Sequence, residues 1–460
     1  MTTRFDAIIV GAGQAGPSLA GRLTAAGHTV AIVERKLIGG TCVNNGCIPT
    51  KTLVASAHAA HLARRGADFG VGTGPVSVDM AKVKARKDEI MLGDRKGVED
   101  WLTGMDGCTV IRGHARFEDP HTLRVGGEVL QAERIFLNVG GRAVVPDIPG
   151  LADVEFLTNV SILELDTVPD HLVIIGGSYI ALEFAQMYRR FGAPVTVVEK
   201  GPRLAFREDS DVSDTIKEIL ENEGIDIVVD AADIRITKQD SGFQVTPRAG
   251  AAPIAGSHLL LAVGRRPNTD DLGLEHAGVQ TDARGYITVD DQLKTSVDHI
   301  WAMGDCNGKG AFTHTSYNDF EIVAANLLDG DSQTTPRLVS DRIPTYALYI
   351  DPPLGRAGMT VEQVRASGRP ALVGQRPMTR VGRAVEKGET QGFMKVVVDA
   401  TTQQILGAAI LGVGGDEAIH EILDVMSAKA PYTTLARTMH IHPTVSELIP
   451  TMLQEMSPMR

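Results

Sequence analysis

The sequence predicts an α/β protein in which two nucleotide-binding units precede a C-terminal α+β segment. Three observations carry that expectation. One strand–glycine turn–helix–strand–acid unit occurs twice, at 6–34 and 171–199. From Ile343 onward the pattern changes to strands at Phe393 to Val398 and Ile405 to Leu411, then a helix from Asp416. The length of 460 residues corresponds to about three domains at roughly 150 residues each.

The first unit opens with Asp6 to Val10, a continuous apolar run that reads as a strand buried on both faces. Gly11-Ala12-Gly13-Gln14-Ala15-Gly16 follows, then a helix-like stretch from Pro17 to Ala26. Gly27 stops the helix, and His28 to Val33 forms a second strand closed by Glu34. In such a Rossmann-like unit Gly11 permits the tight turn, Gly13 lets the backbone approach a pyrophosphate, and Gly16 lets helix and strand pack closely. The phosphates sit at the helix N-terminus, where unpaired N–H groups and the helix dipole favour negative charge. Glu34, 23 residues after Gly11, is placed to accept hydrogen bonds from a ribose diol.

The second unit repeats this order. His171 to Ile175 is apolar, Gly176-Gly177-Ser178-Tyr179-Ile180-Ala181 forms the turn, and a helix runs to about Phe191. Gly192 ends it, and Val195 to Val198 leads to Glu199, again 23 residues after Gly176. Ser178 replaces the middle glycine: its Cβ narrows the approach to the pyrophosphate, and its hydroxyl is a possible donor to a phosphate oxygen. Two sites imply two nucleotides, most simply one bound flavin and one diffusible nicotinamide.

Between the units lies Gly39-Gly40-Thr41-Cys42-Val43-Asn44-Asn45-Gly46-Cys47-Ile48-Pro49-Thr50-Lys51. Two cysteines five positions apart in a Gly- and Asn-rich turn can close a small ring. The Ala-rich stretch Pro49 to Arg64 reads as a helix, so Cys47 sits near a helix N-terminus, where the dipole favours the thiolate. A redox-active pair is the favoured reading. Two free core thiols suit a polar turn poorly, half of a zinc site lacks a second pair at ligand spacing, and a structural disulfide is out of place in a cytoplasmic chain. No bound metal is expected.

Composition narrows the class further. The net charge of −12, from 45 Lys+Arg against 57 Asp+Glu, argues against a nucleic-acid partner. No apolar run reaches the roughly 18 residues of a membrane helix. The opening MTTRFDAIIVGAG has no signal-peptide layout, and four cysteines are too few for a secreted disulfide framework. A cytoplasmic, membrane-free location is expected.

At these residues the sequence resembles the class I pyridine nucleotide–disulfide oxidoreductases, flavoprotein disulfide reductases that include lipoamide dehydrogenase, glutathione reductase and mercuric reductase. GGTCVNNGCIPTK matches the redox-active signature of that family. Glu183 matches the glutamate that pairs with the lysine beside the flavin, here Lys51. Gly264-Arg265-Arg266-Pro267-Asn268 matches the end of the pyridine-nucleotide domain. Trp301 to Asp305 matches the second flavin motif, whose aspartate contacts the ribityl chain. His442-Pro443-Thr444-Val445-Ser446-Glu447 matches the C-terminal histidine–glutamate motif.

The resemblance implies one FAD per subunit, with contacts from Gly40, Thr41, Lys51, Ala115, Gly140, Asp305 and Thr313. It implies NAD(P)H beside Tyr179 and Ile180 and near Gly264. Electrons then pass through the flavin to a Cys42–Cys47 disulfide, with Cys47 nearer the flavin and Cys42 facing substrate. Glu447 orients His442 and stabilises its protonated form. The resemblance places this pair against Cys42 of the other subunit, so the enzyme is expected to be a homodimer with shared sites. Glu199 should welcome a ribose diol and repel a 2′-phosphate, which favours NADH, although Lys200, Arg203 and Arg207 stand close enough in sequence to offset that.

The expected domains are FAD-binding at 1–150 and 276–340, NAD(P)-binding at 151–275, and dimerisation at 341–460. For substrate, the chain shows no C-terminal cysteine pair of the mercuric-reductase kind. His440 to Thr444 resembles the lipoamide dehydrogenase ending, whereas Phe312 to Phe320 resembles the mercuric-reductase-like and reactive-chlorine-induced reductases. Three readings stand: a reductase of disulfides or thiol-bound metal, a dihydrolipoamide dehydrogenase, or an NADH oxidase or quinone reductase that leaves the cysteines idle. Cys108 and Cys306 read as structural.

Overall fold

The computed structural model describes residues 2–330 and 335–459. The first sheet has seven strands. Cys108–Arg112, Val30–Glu34, Thr2–Val10 and Glu128–Leu137 run parallel in that order, and Ile300–Ala302 joins Glu128–Leu137 in parallel. Thr122–Val125 and Ala115–Asp119 extend it as an antiparallel edge. Ile8, Ile9, Val30, Ala31 and Ile32 are completely buried because helices cover a parallel sheet on both faces. The helices Ala15–Ala25 and Thr313–Leu328 pack on each other over this core.

A four-stranded parallel sheet forms the second unit, in the order Asp226–Val228, Val195–Val198, Leu172–Ile175 and His258–Leu261. A three-stranded antiparallel sheet, Arg235–Lys238, Phe243–Thr246 and Ile254–Gly256, lies beside it. Arg265–Pro267 pairs antiparallel with Gly141–Ala143, which returns the chain to the first unit. The C-terminal segment is a six-stranded sheet ordered Thr345–Leu348, Leu354–Gly358, Ile405–Leu411, Phe393–Asp399, Ala371–Pro377 and Ser457–Pro458. Helix Gly415–Ser427 packs on it, burying Ala418, Ile419 and Ile422.

The boundaries of the paired units follow their signals closely. The first helix spans Ala15–Ala25 and the second Tyr179–Phe191, the latter ended by Gly192 at φ +117°. The second strand begins at Val30 rather than His28. The cysteine segment departs from a simple turn: Gly40–Asn45 is a short helix, Gly46 breaks it, and Cys47–Arg64 is a long one. Asn44 explains the first helix, since its buried amide donates to the carbonyls of Ile38 and Gly40 at 2.9 and 2.8 Å.

Helix Cys47–Arg64 is the element that fixes the site. Leu53 and Ala57 on it are buried in the same core as Leu182, Phe184 and Ala185 of helix Tyr179–Phe191. The cysteine helix of the first unit is thereby packed directly against the glycine-turn helix of the second.

Candidate active site

One cavity of about 2080 Å³ runs between the two parallel sheets and the C-terminal segment. A single small-molecule site takes roughly 300–1,000 Å³, so this volume suits two nucleotides. Gly11, Gly13, Glu34, Gly40, Thr41, Ala115, Gly140 and Asp305 line one arm. Gly176, Gly177, Ser178, Ile180, Glu199 and Gly264 line the other. Cys42, Cys47, Lys51, Thr313, Tyr179 and Glu183 line it as well.

The first glycine turn fits a flavin dinucleotide. Gly11 sits at φ +108°, and a Cβ there would stand 2.2 Å from the Asn138 carbonyl oxygen. A Cβ on Gly16 would stand 2.4 Å from the Gly11 carbonyl oxygen, so Gly16 serves helix–strand packing and does not line the cavity. Gly40 is at φ +61° with its Cβ position 2.6 Å from Gly13 Cα, which brings the cysteine segment onto the glycine turn. The Ala15–Ala25 helix has no side-chain N-cap; the Gly16 N–H is taken by the Gly13 carbonyl at 3.0 Å and Pro17 has none, so it is the helix dipole that favours an anion at this end. Glu34 Oε2 accepts from Ala12 N–H at 3.0 Å, and Oε1 from Lys36 N–H at 2.8 Å. Asn138, which the sequence reading missed, braces this turn by donating to the Gly11 carbonyl at 3.2 Å. Burial pushes the Asp305 carboxyl above the usual range, against the pull of Arg265 at 3.6 Å.

The second turn fits another dinucleotide. Gly176 is at φ +116°, with its Cβ position 2.4 Å from the Ala262 carbonyl oxygen. Ser178 occupies the N-cap of helix Tyr179–Phe191 but caps no amide, so its hydroxyl is free to meet a phosphate. Glu199 accepts the Gly201 N–H at 2.6 Å. Lys200 and Arg207 line the cavity, whereas Arg203 reaches Glu362 at 3.5 Å and lies off the lining.

Where the arms meet, Lys51 Nζ donates to Glu183 Oε2 at 2.7 Å, and Glu183 Oε1 accepts the Tyr349 N–H at 3.0 Å. Glu183 is buried, and Lys51 also stands 4.6 Å from the Tyr349 ring centroid. Tyr179 packs against Tyr346 and Phe312, with centroids 5.4 and 5.8 Å away. Phe312 in turn stacks on His314 and Tyr346. Tyr346 carries no local sequence signal, because its meeting with Tyr179 depends on strand pairing far along the chain.

The two thiols are free and polarised against one another. The hydrogen bond from Cys42 pulls the Cys47 pKa down to about 6; Thr313 at 3.1 Å and the Lys51 charge assist, and burial opposes. Cys42 shifts the other way, because its proton is committed to Cys47 and burial disfavours a second charge. The reduced pair therefore holds one proton on Cys42 and one negative charge on Cys47 near neutral pH. Cys306 is buried, and burial pushes its thiol up to about 12. Burial likewise raises Cys108.

His442 and Glu447 form the expected pair, with Nδ1 and Oε2 2.8 Å apart. They do not line the cavity of their own chain. The His442 side chain is 80% exposed, and its neighbours Met439 and Ile441 are 95% and 79% exposed. Among the described residues no group of three His, Cys, Asp or Glu is arranged to hold a metal ion, and no helix is long and apolar enough to cross a membrane.

The polarisation makes a direct prediction. In the reduced enzyme, thiolate absorbance should titrate at about pH 6 and disappear in Cys47→Ser. In Cys42→Ala the strongest stabiliser of the thiolate is gone, so the titration should move up toward the ordinary cysteine value of about 8.5. An unchanged midpoint in Cys42→Ala would show that another group holds the charge.

Comparison with known proteins agrees with this geometry. Residues 5–319 match the pyridine nucleotide-disulphide oxidoreductase family, and 344–453 match its dimerisation domain. The probable pyridine nucleotide-disulfide oxidoreductase RclA of Escherichia coli is 39% identical over 96% of this chain and 97% of its own length. A dihydrolipoyl dehydrogenase of Haloferax volcanii is 33% identical over 98% and 95%. A mercuric reductase of Bacillus cereus is 32% identical over 94% and 70%. The solved structure of a Cu(II) complex of the HOCl-induced flavoprotein disulfide reductase RclA from Escherichia coli superimposes with a TM-score of 0.89 at 37% identity, covering 98% of this chain and 99% of that one. The chain belongs to the pyridine nucleotide–disulphide oxidoreductase family, flavoproteins that use FAD and NAD(P)H to act on sulfur groups.

Proposed function

We propose that this protein is a homodimeric NADH-dependent reductase whose Cys42–Cys47 pair delivers electrons to a small disulfide or to a thiol-bound soft metal ion. The observation that carries the reading is the polarised thiol pair, set in one cavity with both glycine turns. Soft thiolates suit Cu and Hg, and a copper complex of RclA and the mercuric reductases stand among the similar proteins. We assign residues 1–150 and 276–340 to FAD, 151–275 to the nicotinamide nucleotide, and 341–460 to the dimer contact. The sheet memberships support this division.

Bound FAD supplies two-electron transfer between the nicotinamide and the cysteine pair. Gly11, Gly13, Gly40, Thr41, Lys51, Ala115, Gly140, Asp305 and Thr313 would hold it; Gly176, Gly177, Ser178, Ile180, Glu199 and Gly264 would hold the nicotinamide nucleotide beside Tyr179. Lys51 is oriented by Glu183, and it stabilises negative charge on Cys47. Cys42 must lose its proton before it attacks, and His442 of the partner subunit, held by that subunit's Glu447, accepts it. The Cys42 thiolate then displaces one thiolate from a substrate disulfide, and the imidazolium returns the proton to that leaving group. Attack of the Cys47 thiolate on Cys42 Sγ releases the second thiolate, which takes a proton from solvent, and restores the disulfide. With thiol-bound Cu(II), the same two electrons reduce two ions to Cu(I). The exposed Met439 and Ile441 beside His442 supply apolar surface for the partner to cover.

Purified dimer assayed with Cu(II), Hg(II), glutathione disulfide and lipoamide should turn over at least one of the first three faster than lipoamide. Cys42→Ser should abolish that turnover. Full activity in Cys42→Ser would mean the cysteines are idle, and dominant lipoamide turnover would make the enzyme a dihydrolipoamide dehydrogenase. Neither Cys42→Ser nor His442→Ala homodimers should be active, yet mixing them should restore about a quarter of native activity through one intact site in each hybrid dimer. No recovery from verified hybrids would place the whole site in one chain.

Nucleotide choice follows from Glu199, which keeps a carboxylate at the ribose end of the second arm while Arg203 is turned to Glu362. The kcat/KM for NADH should exceed that for NADPH by about tenfold or more, and Glu199→Ala should narrow the ratio. A tenfold preference for NADPH would show that Lys200 and Arg207 dominate.

A further inference from the structure

Tyr346 and Arg356 are directly opposite one another on the antiparallel strands Thr345–Leu348 and Leu354–Gly358. Cross-strand partners project from the same face, so one side chain can share a target with the other. Their common target is Glu208, which precedes helix Ser210–Asn222 in the nicotinamide-binding unit. The Tyr346 hydroxyl donates to Glu208 Oε1, and Arg356 donates to Oε2 through Nε at 3.0 Å and through Nη2. Glu208 and Arg356 are both almost completely buried. Arg356 Nη2 also lies 3.5 Å from Asp209 Oδ2, which Lys395 Nζ meets at 3.0 Å.

The anchor reaches the cavity through Tyr346. Its ring packs at 5.4 Å from that of Tyr179 and stacks at 5.6 Å on that of Phe312. An ordered chain results: Tyr179 to Tyr346, Tyr346 to Glu208, Glu208 to Arg356. A phenol on a short helix turn at a cavity wall has two soft torsions. A second phenol held by a buried carboxylate removes that freedom.

We propose that Tyr346 is a positioning residue that, anchored by Glu208 and Arg356, holds Tyr179 at the nicotinamide arm of the cavity and so sets the rate of electron entry from NADH. This rests on the reading above that NADH docks beside Tyr179. Tyr346→Phe keeps the ring contact and removes the hydroxyl link. Glu208 remains paired with Arg356, so no buried charge is stranded. Tyr346→Leu removes both ring and hydroxyl.

The test uses FAD-loaded dimer in anaerobic rapid mixing, which separates reduction by NADH from reoxidation by the acceptor. Tyr346→Phe should slow reduction by NADH about tenfold, the scale of one hydrogen bond to a charged group, and leave reoxidation unchanged. Tyr346→Leu should slow it further. Tyr179→Leu should also slow reduction, and the double Leu variant should be no slower than the slower single, because both remove one shared ring contact. If Tyr179→Leu slows reduction and Tyr346→Phe stays within about twofold of native, the positioning role falls and NADH docking at Tyr179 stands. If neither tyrosine matters, the docking itself falls. If Tyr346→Phe lowers the melting temperature and slows both half-reactions equally, the residue is merely structural and the proposal is overturned.

Discussion

The Lys51–Glu183 ion pair is the contact on which the site depends. Glu183 sits on the glycine-turn helix of the second unit and is buried, so without a cation its charge would be strongly unfavourable. Lys51 supplies that cation from the helix that starts at Cys47. The need to neutralise one carboxylate therefore sets the distance between the sulfur pair and the second nucleotide turn. Leu53, Ala57 and Phe184 pack the same two helices together, which makes the pair part of a rigid seam rather than a surface contact.

That seam also explains why the thiols differ. Cys47 heads an 18-residue helix; Lys51 approaches it from the first turns of that same helix and Thr313 from another. Cys42 lies on the preceding short helix, without a cation of its own. The asymmetry is thus a consequence of chain order: the break at Gly46 puts one sulfur at a helix start and leaves the other behind it. Once a single proton is shared, negative charge settles on the sulfur with the better donors.

Much of this was legible in the sequence because parallel strands and glycine turns write themselves locally. Ala7 to Val10 is an uninterrupted apolar run and Val195 to Val198 is broken only by Thr196, and the acids after each second strand fall at a fixed distance from the first glycine. The short helix Gly40–Asn45 was not legible. Its glycines and asparagines favour turns, and only the close fit of Gly40 on Gly13 and the Asn44 amide bonds make it helical. Asn138 and Tyr346 were missed for a related reason: each acquires its role from a contact more than a hundred residues away. The spacing of His442 and Glu447 was readable, and the bond between them is present, yet one chain alone does not bring them to the cavity.

The C-terminal segment accordingly meets its surroundings in two separate ways. Its loop between Ala436 and Ser446 exposes His442 beside Met439 and Ile441. Its strands Thr345–Leu348 and Leu354–Gly358, in contrast, reach the second unit at Glu208 with Tyr346 and Arg356, and strand Phe393–Asp399 reaches Asp209 with Lys395. Buried ion pairs of this kind add little net stability over apolar packing, but they tolerate only one register, since a shift strands a charge. The sheet is thereby fixed to the second unit beside the cavity wall where Tyr346 meets Tyr179.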